Sequence, residues 1–215
     1  KKKKNLAILL GKIFFEVIIA NGFDKDALKI LKRKKNLRII DANKVSFEDT
    51  QSILSSLNSI LIQSTDLKIL NRKDFKIVSK NKPNKETMDN LIFAFNICKF
   101  VKSNAIVLTK NYSTVGIGSG QPSRLDSCKI AIEKMRKFNN EENDKPIFAA
   151  SDAFFPFVDG FEKLVQAGVS AIVQPYGSIR DKEIIKFANQ TGTILVFSKI
   201  LTPLLVNKIF KETRN

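Results

Sequence analysis

The sequence predicts an α/β protein: a three-layer α/β/α arrangement around a mixed sheet. Three observations carry that expectation. Between Pro83 and Ser198, segments with a helical hydrophobic period alternate with short apolar runs rich in Val and Ile. A turn signal at Asn111–Ser113 joins two of those runs as a hairpin, so the sheet is not purely parallel. Three unusual loops, "SGQPSR", "SDAFFPFVDG" and "PYGS", each follow a strand, and ligands of open α/β sheets gather at the carboxyl ends of strands.

The elements follow in order. "KIFFEVIIA" (Lys12–Ala20) is apolar and β-branched and ends at Asn21-Gly22, so it reads as a buried strand and a turn. In "DKDALKILKRKKN", Asp24 suits a helix N-cap. Ala27, Leu28 and Leu31 form the apolar stripe, and the basic end suits a helix C-terminus. "LRII", "NSILIQS" and "DFKIVS" read as strands, while residues 41–57 are polar without a clear period. "NKETMDNLIFAFNICKFV" is helical, with Met88, Leu91, Ile92 and Phe95 on its period. "NAIVLTK" and "TVGIG" form the hairpin. Then come a helix in "RLDSCKIAIEKMRKF", a strand in "PIFAAS", a helix in "GFEKLVQAG", a strand in "SAIVQP", a helix in "RDKEIIKFANQTG" and a strand in "TILVFS". These alternations favour a mostly parallel sheet covered on both faces.

Composition bounds the function. A length of 215 residues holds one large domain or two small ones, and 43% apolar residues support a core. The net charge of +16 is carried mainly by lysine; with abundant Ile, Asn and Phe and no Trp it fits an adenine- and thymine-rich coding bias. Most of the lysines then form a solvated face. A nucleic-acid site calls for clustered Arg and Lys with interleaved aromatics. Here the lysines are scattered, with runs at Lys1–Lys4 and Lys32–Lys35. An anionic small molecule is another partner for such a field. The two cysteines, Cys98 and Cys128, make neither a disulfide framework nor a zinc site, so a cytoplasmic setting is the default. The N-terminal run imitates a signal peptide, but Lys12 and Glu16 interrupt it, and no apolar stretch is long enough to span a bilayer. The chain contains no histidine.

The first loop has glycines at alternate positions, Gly116, Gly118 and Gly120, and then Arg124. Its spacing matches neither the dinucleotide fingerprint nor a P-loop. Two of the glycines fall in a strand, where they leave room for a close backbone or ligand. Two alternatives stand for the loop: an anion- or heterocycle-binding helix start beside Arg124, or a structural turn. The second loop sets three phenylalanines around Pro156, between Asp152 and Asp159. Its aromatics either wall a flat ligand or fold into the core. Two carboxylates in one loop are a weak sign of acid–base work without a partner base.

"VKSNAIVLTKN", "TVGIGSGQPSRLDSCKIA", "ASDAFFPFVDGFEKLVQAGVSAIVQPYGSIRDKEII" and "FFEVIIA…FDKDALKILKRKKNLR" resemble the formyltransferase part of the bifunctional purine biosynthesis family, over about residues 10–198. The resemblance implies a duplicated cytidine-deaminase-like fold. Residues 1–65 would be the remnant of one subdomain, 66–200 a second, and 201–215 an aberrant tail. It implies formyl transfer from 10-formyltetrahydrofolate to the amine of AICAR, an aminoimidazole carboxamide ribonucleotide, within a homodimer. It places Asn104, the candidate catalytic residue, and Arg124 in the AICAR pocket near the carboxamide, with Phe154 bordering it. Leu125, Pro156, Phe157, Asp159 and Ser178 fall on the folate side, Asp159 facing the pterin. Asp152 falls where a structural monovalent cation such as K+ is expected. No zinc, nucleic acid or membrane is implied. A zinc deaminase is excluded, because the His/Cys/Cys ligand set cannot be built here.

The departures are equally specific. The family's catalytic Lys-His pair, an upstream phosphate-binding arginine and the IMP cyclohydrolase domain have no counterpart in the sequence. Asn21-Gly22 stands where the family tends to have proline. "VFSKI" runs into "LTPLLVNKIFKETRN" instead of a basic, histidine-bearing end, and a reading-frame slip near Ile200 would explain it. Three functions compete: a part of the transformylase, inactive alone; a standalone remnant that binds a nucleotide or folate without turnover; and a basic nucleic-acid-binding domain.

Overall fold

A computed structural model of the chain describes residues 4–45, 51–56, 59–64, 68–138 and 145–200. The proposed tail, 201–215, lies outside the described residues. The chain divides into two compact units, Lys1–Thr65 and Asp66–Asn215.

The first unit begins with helix α1 (Lys4–Gly11). The apolar start of the chain therefore forms a helix that ends at a glycine, and the strand expected over Lys12–Ala20 shrinks to β1 (Val17–Ala20). Leu6, Ala7, Leu9 and Leu10 are favourable in helices, whereas the β-branched residues cluster at 17–19. Helix α2 (Lys25–Leu31) links β1 to β2 (Arg38–Asp41), which pairs with it in parallel, Ile18 opposite Ile39. Asp24 stands at the start of α2 but makes no side-chain cap bond. Ala7, Ala27 and Leu31 form a small core, with Ile18 and Ile39 packed against it. Val17, Ile19 and Ile40 are exposed. The polar stretch at 51–57 supplies β3 (Gln51–Ser56), made a strand by antiparallel pairing with β4 (Ser59–Ser64) rather than by its own pattern.

The second unit is built on six strands: β5 (Phe75–Ile77), β6 (Ile106–Lys110), β7 (Ser113–Gly118), β8 (Ile147–Ser151), β9 (Val169–Pro175) and β10 (Ile194–Ser198). Their order is β5-β10-β9-β8-β6-β7. Only β8, β9 and β10 pair in parallel; β6 runs against both β7 and β8, and β5 against β10. The sheet is mixed as expected, with a smaller parallel part than the helix–strand alternation favoured. The cause is the hairpin, which inserts β6 between two strands of the opposite direction. Its two-residue turn holds Asn111 and Tyr112 at φ 51° and 56°, the conformation that suits the twist of a tight hairpin. Asn90 steadies it by accepting the Tyr112 N–H at 2.9 Å.

Side-chain alternation along the strands sorts the core into two layers. Val107, Phe148, Ala150, Val173 and Val196 pack on α3 (Lys85–Cys98) through Met88, Leu91, Ala94 and Phe95. Ile106, Leu108, Ala149, Ile172 and Leu195 face the other way. They meet α4 (Arg124–Phe138), α5 (Val158–Gln166) and α6 (Asp181–Thr191) through Cys128, Ala131, Phe161, Leu164, Ile184 and Ala188. The result is the three-layer α/β/α sandwich. Asn84 caps α3 by accepting the Thr87 N–H at 2.8 Å. Gly192, at φ 73°, ends α6 in the left-handed conformation that favours glycine. Cys98 and Cys128 are free and buried. Burial pushes both thiols up, that of Cys128 to about 12.

The alternating glycines have a structural cause. A Cβ on Gly116 would lie 2.1 Å from the Ala131 carbonyl oxygen, and one on Gly118 1.9 Å from that of Ser127. Helix α4 thus lies directly on β7, and the close approach is made by helix backbone, not by a ligand. Gly118→Ala is expected to lower stability by at least ~1–3 kcal/mol, because backbone on both sides must shift. Urea unfolding of the second unit checks it, and an unchanged midpoint would contradict the packing described.

Candidate functional site

Strand direction decides what meets at the functional edge. β7, β8 and β9 end there, and β6, running against them, begins there. The segment before β6 is thereby brought to the loops that follow β7 and β8, which spacing along the chain does not reveal.

Asp152, at the end of β8 and 2% exposed, is the centre. Its Oδ1 accepts Arg124 Nη1–H at 2.5 Å and the Ala105 N–H at 3.0 Å, and its Oδ2 accepts the Ser103 hydroxyl. Its own N–H donates to the Ala105 carbonyl at 3.2 Å. Arg124, the first residue of α4, also donates from Nη1 to Ser151 Oγ and from Nη2 to Asn104 Oδ1, both at 2.8 Å. Asn104 Nδ2 donates to the Gln121 and Pro122 carbonyls at 2.8 and 3.0 Å, and the Ser127 hydroxyl to the Asn104 carbonyl at 2.8 Å. Lys102 accepts the Gly120 N–H at 2.7 Å, with Gly120 at φ 68°. A buried guanidinium is thus neutralised by one carboxylate and spread over three chain segments.

In front of this network is a cavity of about 510 Å³. Asn104, Arg124 and Leu125 line one side; Phe154, Pro156, Phe157 and Asp159 line the other. The aromatic loop divides its labour. All three phenylalanines border the cavity, but Phe155 is buried with its ring edge-on to Phe161 at 5.8 Å, whereas Phe154 is partly and Phe157 half exposed. Both sequence readings of that loop therefore apply, to different rings. Gly160 permits the arrangement, since a Cβ there would meet the Phe155 ring at 3.1 Å. Asp159, in the first turn of α5, accepts the Gly160 N–H at 2.7 Å.

Seven of the nine expected site residues line the cavity. Asp152 stands behind it as the partner of Arg124. Ser178 does not line it; its hydroxyl accepts the Arg180 N–H at 3.1 Å in the loop after β9. That loop reaches the site through Arg180, whose guanidinium stacks over the Phe157 ring at 4.9 Å. Sequence reasoning missed Ser103, Ser127 and Ser151. Ser151 had one usable signal, a polar pair with Asp152 ending an apolar strand. Among the described residues no group of three or more carboxylates or cysteines could hold a metal ion.

A planar ligand with a polar edge suits the cavity: flat apolar walls, one buried cation and the start of α4 beside it. The ion pair should be costly to break from one side. Asp152→Asn leaves a buried, unpaired guanidinium and is expected to lose about 3–5 kcal/mol, whereas Asp152→Leu with Arg124→Met together should lose much less. Denaturant unfolding of the three proteins checks this, and equal losses would contradict it.

Comparison with known proteins places the chain in a family. Residues 2–134 match the family described as the AICARFT/IMPCHase bienzyme. The chain is 43% identical over 192 residues to the bifunctional purine biosynthesis protein PurH of Buchnera aphidicola subsp. Schizaphis graminum, covering 89% of this chain and 36% of that protein. It is 40% identical over 191 residues to PurH of Chlorobium phaeobacteroides, with the same coverage. With PurH of Anoxybacillus flavithermus it shares 41% over 198 residues, 92% of this chain and 38% of that protein. The chain thus spans little more than a third of these relatives' length. It belongs to the AICARFT/IMPCHase bienzyme family of purine biosynthesis.

Proposed function

We propose that the chain forms one wall of an AICAR transformylase site, in which a formyl group passes from 10-formyltetrahydrofolate to the AICAR amine. The observation that carries this is the convergence of Asn104, Arg124, Leu125, Phe154, Pro156, Phe157 and Asp159 on one cavity. In this proposal residues 1–65 are the remnant of a first transformylase subdomain and 66–200 a second, and the whole protein acts as a cytoplasmic homodimer.

The chemistry assigns the roles. The AICAR amine is a poor nucleophile, because its lone pair is delocalised into the ring and carboxamide. Attack on the formyl carbon needs an oriented amine, a proton acceptor and a stabilised oxyanion. Both amide hydrogens of Asn104 are already donated to carbonyls, so Asn104 meets the substrate as an acceptor, through the free lone pair of Oδ1. That suits an N–H of the amine or carboxamide. Arg124 has donors beyond those given to Asp152, Ser151 and Asn104, and they suit the carboxamide oxygen. Phe157 and Pro156 wall the folate ring, with Asp159 as an acceptor for the pterin N–H groups. With no histidine, the chain supplies no imidazole as proton acceptor. We infer binding without turnover by the isolated chain.

Calorimetric titration with AICAR and with folic acid tests this. Both are expected to bind the 215-residue chain, and Phe157→Ala should weaken folic acid about five- to tenfold without moving the melting temperature. Purified chain should not formylate AICAR from 10-formyltetrahydrofolate. Binding of neither ligand would overturn the site, and transfer would overturn the inferred inactivity.

A further inference from the structure

We propose that Gln174 is a positioning residue for the aromatic wall of the cavity, a buried amide whose role is to hold the loop at Phe155 rather than to stabilise the sheet. Gln174 lies on β9, opposite Phe197 of β10, and is 0% exposed. It shares a face with Ile172, the side covered by α4, α5 and α6. A leucine or methionine would pack in such a place without polar cost. The Gln174 amide is instead poorly satisfied. Oε1 accepts the Phe155 N–H at 3.5 Å, a long bond, and Nε2 has no partner among the described residues. A buried donor left unpaired lowers stability and calls for an explanation.

The contact supplies one. Phe155 is itself buried, so its N–H would be a second orphan without Gln174. It is also the middle residue of the wall. Its ring is packed against Phe161 of α5, and it borders the cavity together with the more exposed Phe154, Pro156 and Phe157 around it. The other fixed point of the loop is at Asp152, where the Ser151 hydroxyl donates to the Ala153 carbonyl at 2.6 Å. Gln174 therefore sets the depth of the wall at its centre. Local rules of satisfaction are broken where function needs it.

The test uses the full chain and two variants that keep the bulk and remove the acceptor, Gln174→Met and Gln174→Leu. Hydrogen exchange is read at residues 152–158 and at β9, beside the melting temperature. The expected result is exchange about fivefold faster at 152–158, unchanged exchange in β9, and a melting temperature equal or higher. Unchanged exchange at 152–158 overturns the proposal. So does a lower melting temperature with exchange raised equally in both segments, which marks a merely structural residue. A ligand arm rests on the transformylase reading: folic acid should bind both variants about fivefold more weakly than the unaltered chain. Equal affinity overturns the positioning role. Failure of folic acid to bind even the unaltered chain overturns the transformylase reading instead, and the exchange result then decides the positioning role alone.

Discussion

The Arg124–Asp152 ion pair is the constraint on which the site depends. A guanidinium cannot be buried without a counter-charge, and a carboxylate cannot be buried without donors. Each solves the other's problem, at 2.5 Å. The remaining donors of Arg124 and the remaining acceptor positions of Asp152 then capture Asn104, Ser103, Ser151 and the Ala105 N–H. Three segments far apart in sequence become one rigid floor. What this geometry achieves is pre-organisation: the polar groups facing a ligand are held before it arrives.

Two further features place that floor. Gly116 and Gly118 allow α4 to lie on β7, which carries Arg124 to the sheet edge at the right depth. The reversed strand β6 then brings Asn104 to the same edge. Without the glycines the helix start would ride outward; without the reversal Asn104 would lie at the opposite end of the sheet. The aromatic loop supplies the facing wall, with Phe155 as its anchor and its neighbours as its surface.

Much of the second unit was legible in the sequence, because its helices and strands carry clean periods and glycine ends such as Gly192. The two readings of "SDAFFPFVDG" could not be separated there: which of the three phenylalanines around Pro156 turns inward depends on the room left by Gly160 and on Phe161, both tertiary facts. The pairing of Asn104 with Arg124 was expected only from family resemblance, since it follows from strand direction. Asp152 was assigned to a cation only through that resemblance; its ion pair with Arg124 follows from tertiary placement and was not legible in the spacing. The first unit was harder. Its leading apolar run suits helix and strand alike, and β3 is a strand only through its partner. The alternating glycines were rightly placed in a strand, but whether backbone or ligand came close needed the position of α4.

In the proposed reading the cavity is one wall of a transformylase site, and the sequence contains no histidine. A crystal structure of the chain soaked with AICAR would test that account most directly. The account predicts the imidazole carboxamide in the cavity between Phe154 and Arg124, within hydrogen-bond distance of Asn104 Oδ1, with the Arg124–Asp152 pair intact. A ligand seated elsewhere, or an Arg124 that leaves Asp152 to reach it, would contradict it.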